Sequence, residues 1–156
     1  MSEIQLLNIS NNNLNGMIET LFSQAKTLLM VDFSKNNFSG TIPRDLVEIQ
    51  ALLVLDLSDN NFTGFTHFSD PFLPSLIEID LSNNQFQGQV PLELLTSHLV
   101  KADFSGNHFN GTLPVKIGNM TALEALNFGK NDSLKIPPYV IQAKFNFFCI
   151  LVQRME

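Results

Sequence analysis

The chain has 156 residues, 44% of them apolar, and a net charge of −6, with charged residues only 15% of the total. It can bury a continuous core, and it lacks the basic face that phosphate-backbone binding demands, which argues against a nucleic-acid partner. One cysteine, Cys149, excludes an intramolecular disulfide, and nothing in the composition argues for a metal or any other cofactor.

One pattern recurs in chain order. It begins at Leu7, returns as Val31-Asp32-Phe33-Ser34-Lys35-Asn36-Asn37-Phe38-Ser39-Gly40-Thr41-Ile42-Pro43, and repeats from Leu55, Ile79, Ala102 and, in weaker form, Leu126. The first Asn of each copy is Asn12, Asn36, Asn60, Asn84, Asn107 or Asn131, so the spacings are 24, 24, 24, 23 and 24 residues. A fixed period of this size predicts a solenoid and outranks any local secondary-structure reading. Each unit opens with alternation: Leu28, Val31 and Phe33 inward, Asp32 and Ser34 outward. Such short strands need their copies as partners, which predicts a parallel sheet.

The recurring Asn is expected to end each strand and to hold backbone groups of its own coil and the next, so that the six form a ladder. Leu14, Phe38, Phe62, Phe86 and Phe109 follow at a spacing that predicts a stacked core spine. Gly16, Gly40, Gly64, Gly88 and Gly111 come where a tight coil favours positive φ. Ile42-Pro43, Val90-Pro91 and Leu113-Pro114 then suit an extended outer segment.

The motifs VDFSKNNFSGTIP, LDLSDNNFTG, IDLSNNQFQGQVP and ADFSGNHFNGTLP resemble the plant-type leucine-rich repeat, over about residues 4–137. The resemblance implies an α/β-type repeat solenoid: a right-handed superhelix with a parallel β-sheet on the concave face and 3-10, short helical or irregular segments on the convex face. It also implies a non-catalytic protein or peptide-recognition module. The parent would be a receptor-like kinase or receptor-like protein ectodomain, at the cell surface, acting in signalling or defence and open to a co-receptor. A kinase domain of such a parent is absent from this chain. A secreted inhibitor of a microbial cell-wall-degrading enzyme, or a non-functional truncated gene product, is the alternative. The cysteine pairs that usually close such solenoids are absent, and Met1-Ser2-Glu3-Ile4 leads into the first repeat without a signal peptide, which reads as a fragment of a larger receptor.

In the first repeat, Leu7 and Ile9 are the inward strand residues, and Leu21, Phe22 and Leu28 are expected to turn inward after it. Arg44 to Ile49 predicts a short helical turn with Leu46 and Ile49 on one face. The third repeat lacks Ile-Pro and carries Phe65 to Pro74, read as an irregular outer coil with Phe68 and Phe72 buried rather than as a recognition patch. Six repeats account for residues 1–138. Residues 139–156 form a non-repeat tail, too short and polar for a membrane span of about 20 apolar residues, and are read as a makeshift cap.

Candidate sites follow from the rows. Asp32, Asp56, Asp80 and Asp103 recur, as do Ser10, Ser34, Ser58, Ser82 and Ser105, so these outward rows read as scaffold, with the acids solvated and bonded to serines. The row that varies, Met30, Val54, Glu78 and Lys101, is where a partner would be discriminated. The sequons at Asn37, Asn61, Asn110 and Asn119 are placed in exposed coil as N-glycosylation acceptors; those at Asn8 and Asn131 lie on a strand and in the ladder. His67, His98 and His108 lack metal spacing, and no catalytic constellation stands out.

Overall fold

A computed structural model of the protein describes residues 3–65, 73–131, 133–135, 137 and 149–151. The alternating tripeptides become the short strands β1 (Leu6–Asn8), β3 (Met30–Asp32), β5 (Val54–Asp56), β7 (Glu78–Asp80), β9 (Lys101–Asp103) and β11 (Ala125–Asn127). A further strand, β13 (Cys149–Leu151), completes a seven-stranded sheet in the order β1-β3-β5-β7-β9-β11-β13. Where register is defined, each pair is parallel and joins equivalent residues of successive coils, as in Val31 with Leu55 and Leu55 with Ile79. Chain order and spatial order coincide, so every coil touches its sequence neighbours and the core runs as a rod along the stack.

The residue in the middle of β3, β5, β7, β9 and β11 points into that rod. Val31, Leu55, Ile79, Ala102 and Leu126 are buried, and Phe33, Leu57, Leu81, Phe104 and Phe128 are buried two positions on. The residues after the ladder asparagines stack along the opposite wall, with Phe38 on Phe62 at 6.3 Å and Phe86 on Phe109 at 5.9 Å between ring centroids. The two files meet where Phe33 lies 5.3 Å from Phe38 and Phe104 lies edge-on to Phe109 at 5.9 Å. Leu14 belongs to this file by sequence but is 43% exposed, at the outer side of the first described coil. Phe22 and Leu28 are buried as expected, whereas Leu21 is 42% exposed; residues around it form turns rather than a helix, and the chain is too short there to bring both Leu21 and Phe22 inward.

A second layer follows the asparagines. Strands β2 (Asn15–Gly16), β4 (Asn37–Ile42) and β6 (Asn61–Phe65) form one three-stranded sheet, and β8 (Gln87–Gln89), β10 (His108–Thr112) and β12 (Ser133–Lys135) form another. Gln85 N–H donating to the Phe62 carbonyl at 2.8 Å links the two across the coil that lacks Ile-Pro. Gly16, Gly40, Gly88 and Gly111 take positive φ here. Gly64 does not: β4 and β6 shift register beside it, with Thr41 facing Gly64 after Gly40 faces Phe62, and the inserted Thr63 makes a bulge that relieves the turn.

Outer segments begin at prolines. Pro43, with φ −75° and ψ 154°, starts the helix α1 (Arg44–Val47), which buries Leu46 and Val47, while Ile49 is buried just beyond it. Short 3-10 turns cover Leu92–Leu94 and Val115–Asn119. The expectations for Phe68, Phe72 and His67 fall on residues 66–72, outside the described residues. Most of the tail lies outside them too. However, β13 pairs with β11 in register 24 residues on, Cys149 opposite Ala125, so the sheet continues past the point where the sequence pattern stops at Pro138.

Candidate functional site

The face of the seven-stranded sheet is assembled by a turn that each coil repeats. Asp32 Oδ1 accepts from the Ser34 backbone N–H at 3.0 Å and from the Ser34 hydroxyl at 2.7 Å. Asp56 holds Ser58 the same way, at 2.9 and 2.7 Å. The Ser82 and Ser105 amides donate to Asp80 and Asp103 at 2.8 Å each. The side chain thereby bends the strand end over. Ser34, Ser58 and Ser82 are consequently buried, not outward-facing as strict alternation predicts. The next residue of the turn then adopts the left-handed conformation in coil after coil: Asn11, Lys35, Asp59, Asn83 and Lys130, with φ between 52 and 56°, and Gly106 at 63°. At Gly106 a Cβ would lie 2.4 Å from Asn83 Oδ1, so a side chain there requires the Asn83 amide to move aside.

The asparagines close the turn. Asn60 Nδ2 donates to its own Leu57 and Ser58 carbonyls at 3.3 and 3.0 Å and to the Phe33 carbonyl of the coil before at 2.9 Å. Its Oδ1 accepts from Phe38 N–H at 2.9 Å. Asn36, Asn84, Asn107 and Asn131 repeat the set, and all are buried. The reach is to the preceding coil rather than the next. Asn12 is exposed, and among the described residues its side chain bonds only the Ile9 and Ser10 carbonyls of its own coil.

On this base, the four acids stand in register on adjacent strands, and an amide closes each end of the row. Asn8 Nδ2 donates to Asp32 Oδ2, and Asn127 Nδ2 to Asp103 Oδ2, both at 2.8 Å. Burial pushes the Asp80 carboxyl above its ordinary 3.8, the Ser82 hydrogen bonds oppose that, and the charges of Asp56 and Asp103 reinforce it. The folded chain therefore binds this proton more tightly than the unfolded chain. That contribution is fully present below pH 3.8 and is lost as pH rises through the raised value. Asp80→Asn is expected to melt at or above the parent temperature at pH 7, and to flatten the rise in stability on acidification within that window. A lower melting temperature at pH 7 would contradict it.

Beside the acids runs the varying row. Met30 faces Val54, Val54 faces Glu78, and Glu78 faces Lys101 on successive strands. Lys101 Nζ lies 3.0 Å from Glu78 Oε1, with both side chains well exposed. The hydrogen bond to Glu78, then its charge and that of Glu124, raises the lysine's pKa. An exposed pair of this kind is screened and readily exchanged for other partners. Val54, Glu78, Lys101 and Ala125, together with Asp56, Asp80, Asp103 and Asn127, line a trough of about 390 Å³. A second hollow of about 370 Å³ lies on the flank where the chain enters the strands, lined by Pro74, Ile77, His98, Val100 and Ala122. The sequence reading assigned that flank no role. Its signal was the apolar recurrence at Leu29, Leu53, Ile77 and Val100, legible only once the flank is known to be open.

The remaining candidates lie elsewhere. Asn37, Asn61, Asn110 and Asn119 are all exposed. Asn37, Asn61 and Asn110 stand on strands of the second layer rather than in coil, and Asn119 ends a 3-10 turn. Asn8 is exposed on β1, and Asn131 is buried. His98 and His108 are exposed and apart from the trough. Among the described residues no group of three His, Cys, Asp or Glu side chains is placed to hold a metal, and no helix is long and apolar enough to cross a membrane.

Comparison with known proteins places this geometry. The Leucine Rich Repeat family model matches residues 3–25, 51–72 and 75–96. No curated protein matches the sequence. Among solved structures, the PEPR1–AtPEP1 complex is 28% identical with a TM-score of 0.82, over 98% of this chain and 22% of that one. The ectodomain of the plant membrane receptor kinase GASSHO1/SCHENGEN3 from Arabidopsis thaliana, in complex with CASPARIAN STRIP INTEGRITY FACTOR 2, is 25% identical with a TM-score of 0.82, over 96% and 18%. The Arabidopsis receptor kinase HAESA, in complex with the peptide hormone IDA and the co-receptor SERK1, is 27% identical with a TM-score of 0.79, over 88% and 24%. The chain thus spans about a fifth to a quarter of the length of these structures.

Proposed function

We propose that this chain, a leucine-rich-repeat protein of the plant type, is a non-catalytic recognition module that binds a peptide or protein across the face of its seven-stranded sheet. The observation that carries the reading is the varying row. The solenoid brings Met30, Val54, Glu78 and Lys101 side by side on four successive strands, the last three lining a trough, while the row Asp32, Asp56, Asp80 and Asp103 recurs beside them. A rigid sheet that holds variable side chains in fixed register lets a ligand be read at little ordering cost. The similar HAESA structures hold a peptide hormone, in one case with a co-receptor as well, which supports a ligand of that class and a place in cell-surface signalling. The exposed sequons lie on the second layer and an outer turn, so glycans there would leave the sheet face clear.

The test is binding of the purified chain to a panel of synthetic secreted plant peptides, followed by the double charge reversal Glu78→Lys/Lys101→Glu. Both side chains are exposed, so the melting temperature should stay within about 1 °C of the parent. Affinity for a peptide that the parent binds should fall about tenfold or more. Equal affinity of parent and variant would overturn the assignment to this row.

A further inference from the structure

We infer that the ligand of the sheet face is a peptide with a bulky apolar residue close to an arginine: the apolar side chain fills the flank hollow at Ile77 and Val100, and the guanidinium reaches Asp56 and Asp80 in the trough. The inference rests on the recognition reading above and gives the ligand of that site its chemical class. The two hollows share one wall. Ile77 lines the flank hollow and Glu78 the trough, and Val100 and Lys101 divide in the same way one coil on. Consecutive residues of an extended chain are about 3.3 Å apart, so one short peptide segment spans both hollows.

The wall itself has no backbone donors to offer. Ile77 and Glu78 N–H donate to the Leu53 carbonyl at 2.8 and 3.0 Å. Val100 and Lys101 N–H donate to that of Ile77 at 2.8 and 3.2 Å, and Glu124 and Ala125 N–H to that of Val100 at 2.8 and 3.1 Å. A peptide crossing here is therefore held by its side chains. On the flank it meets an apolar surface: Ile77 is 36% exposed in mid-stack, with Pro74, Val100 and Ala122 around the same hollow. Its volume of about 370 Å³ is ample for one large side chain.

The trough calls for the opposite chemistry. Asp56, Glu78, Asp80 and Asp103 line it against one base, Lys101, a net of −3, and the lysine is already engaged by Glu78 at 3.0 Å. The ends of the acid row are closed by the amides of Asn8 and Asn127. Asp56 and Asp80, in the middle, hydrogen-bond only the serine that follows each among the described residues. They face each other on adjacent strands, whose spacing is about 4.8 Å. A guanidinium has a fork of five donors and bridges two carboxylates at that separation, which an ammonium does less well. A cation there also relieves the burial and the like charges that hold the Asp80 carboxyl above its ordinary value.

Selection of a random decapeptide phage library on the purified 156-residue chain tests the inference, followed by titration of enriched sequences as synthetic peptides. Enriched sequences are expected to carry Leu, Ile or Phe within one or two positions of Arg. Replacing that Arg by Gln in the peptide should weaken binding to the parent about tenfold and binding to Asp80→Asn hardly at all. Replacing the apolar residue by Ala should cost about tenfold on the parent, and Ala122→Leu, which fills the hollow, should do the same to the unaltered peptide. The peptide substitutions leave the protein intact, so they read both contacts even where a protein variant melts low. Enriched sequences that lack the pair, yet bind less well to Glu78→Lys/Lys101→Glu, would overturn the inference and leave the recognition reading standing. An equal loss from Arg to Gln on the parent and on Asp80→Asn would overturn the inference as well. Absence of any enrichment would overturn the recognition reading and this inference together.

Discussion

Replacement of Phe104 by Ala is expected to cost about 3–5 kcal/mol, the range for emptying a fully buried aromatic site. The ring is 0% exposed and sits where the two files of the core meet. Phe128 stacks on it at 5.0 Å with the planes 10° apart, and Phe109 presents an edge at 5.9 Å. Both neighbours are themselves buried, and Phe109 is stacked on Phe86 at 5.9 Å, so neither is free to swing in and fill the space. The loss should lower the melting temperature by about 6–20 °C for a chain of this size. Leu14→Ala, on a side chain 43% exposed at the stack's edge, should cost far less. Equal losses at the two positions, measured by denaturant titration, would show that the core does not have the packing described.

Asn84→Ala is expected to cost about 1–3 kcal/mol, because it strands buried polar groups rather than removing a favourable contact alone. Asn84 Nδ2 donates to Leu57, Leu81 and Ser82 carbonyls at 2.9, 3.2 and 3.1 Å, and Oδ1 accepts from Phe62 N–H at 2.9 Å. Alanine is too small to reach any of them, and the surrounding leucines exclude water. Asn84→Asp keeps the acceptor for Phe62 but faces three carbonyl oxygens with a carboxylate, so it should be at least as damaging. Asn12→Ala is the internal control. That residue is exposed and its side chain bonds its own coil alone among the described residues, so the loss of that side chain should fall within about 0.5 kcal/mol of neutral. Comparable costs at Asn12 and Asn84 would show that the link between coils is not what the ladder contributes.

Much of the fold was legible because it rests on a period. A residue that recurs every 24 positions must occupy one site in every coil, so the strand row, the ring file and the position of the asparagines needed no long-range information. What escaped depended on where a side chain turns locally or on what lies at an end. Ser34, Ser58 and Ser82 read as outward by alternation, but the preceding Asp draws each back into a buried turn. Positive φ was expected at glycines, whereas Lys35, Asp59 and Asn83 adopt it because the turn between the Asp and the ladder leaves no other path. Asn37 and Asn61 read as coil, yet their backbones pair across coils in a second layer that has no alternation of its own. Cys149–Leu151 escaped because the stretch carries neither the Asn nor the Gly of the pattern, although its backbone pairs with β11. On the sheet face, the row Met30, Val54, Glu78, Lys101 was legible as a row. Its depth, and the open flank beside Ile77 and Val100, came from three dimensions.

The backward reach of the asparagines has a bearing on how the chain acquires its shape during synthesis. Phe38 N–H and Phe33 C=O are both satisfied by Asn60, which lies 22 and 27 residues later in the chain. A coil that has left the ribosome is therefore incomplete until its successor emerges. At about 5–20 residues per second, one period of 24 residues is a wait of roughly 1–5 s. In synthesis each coil is thus closed by the one made after it, and the nascent end is the part that still lacks these bonds.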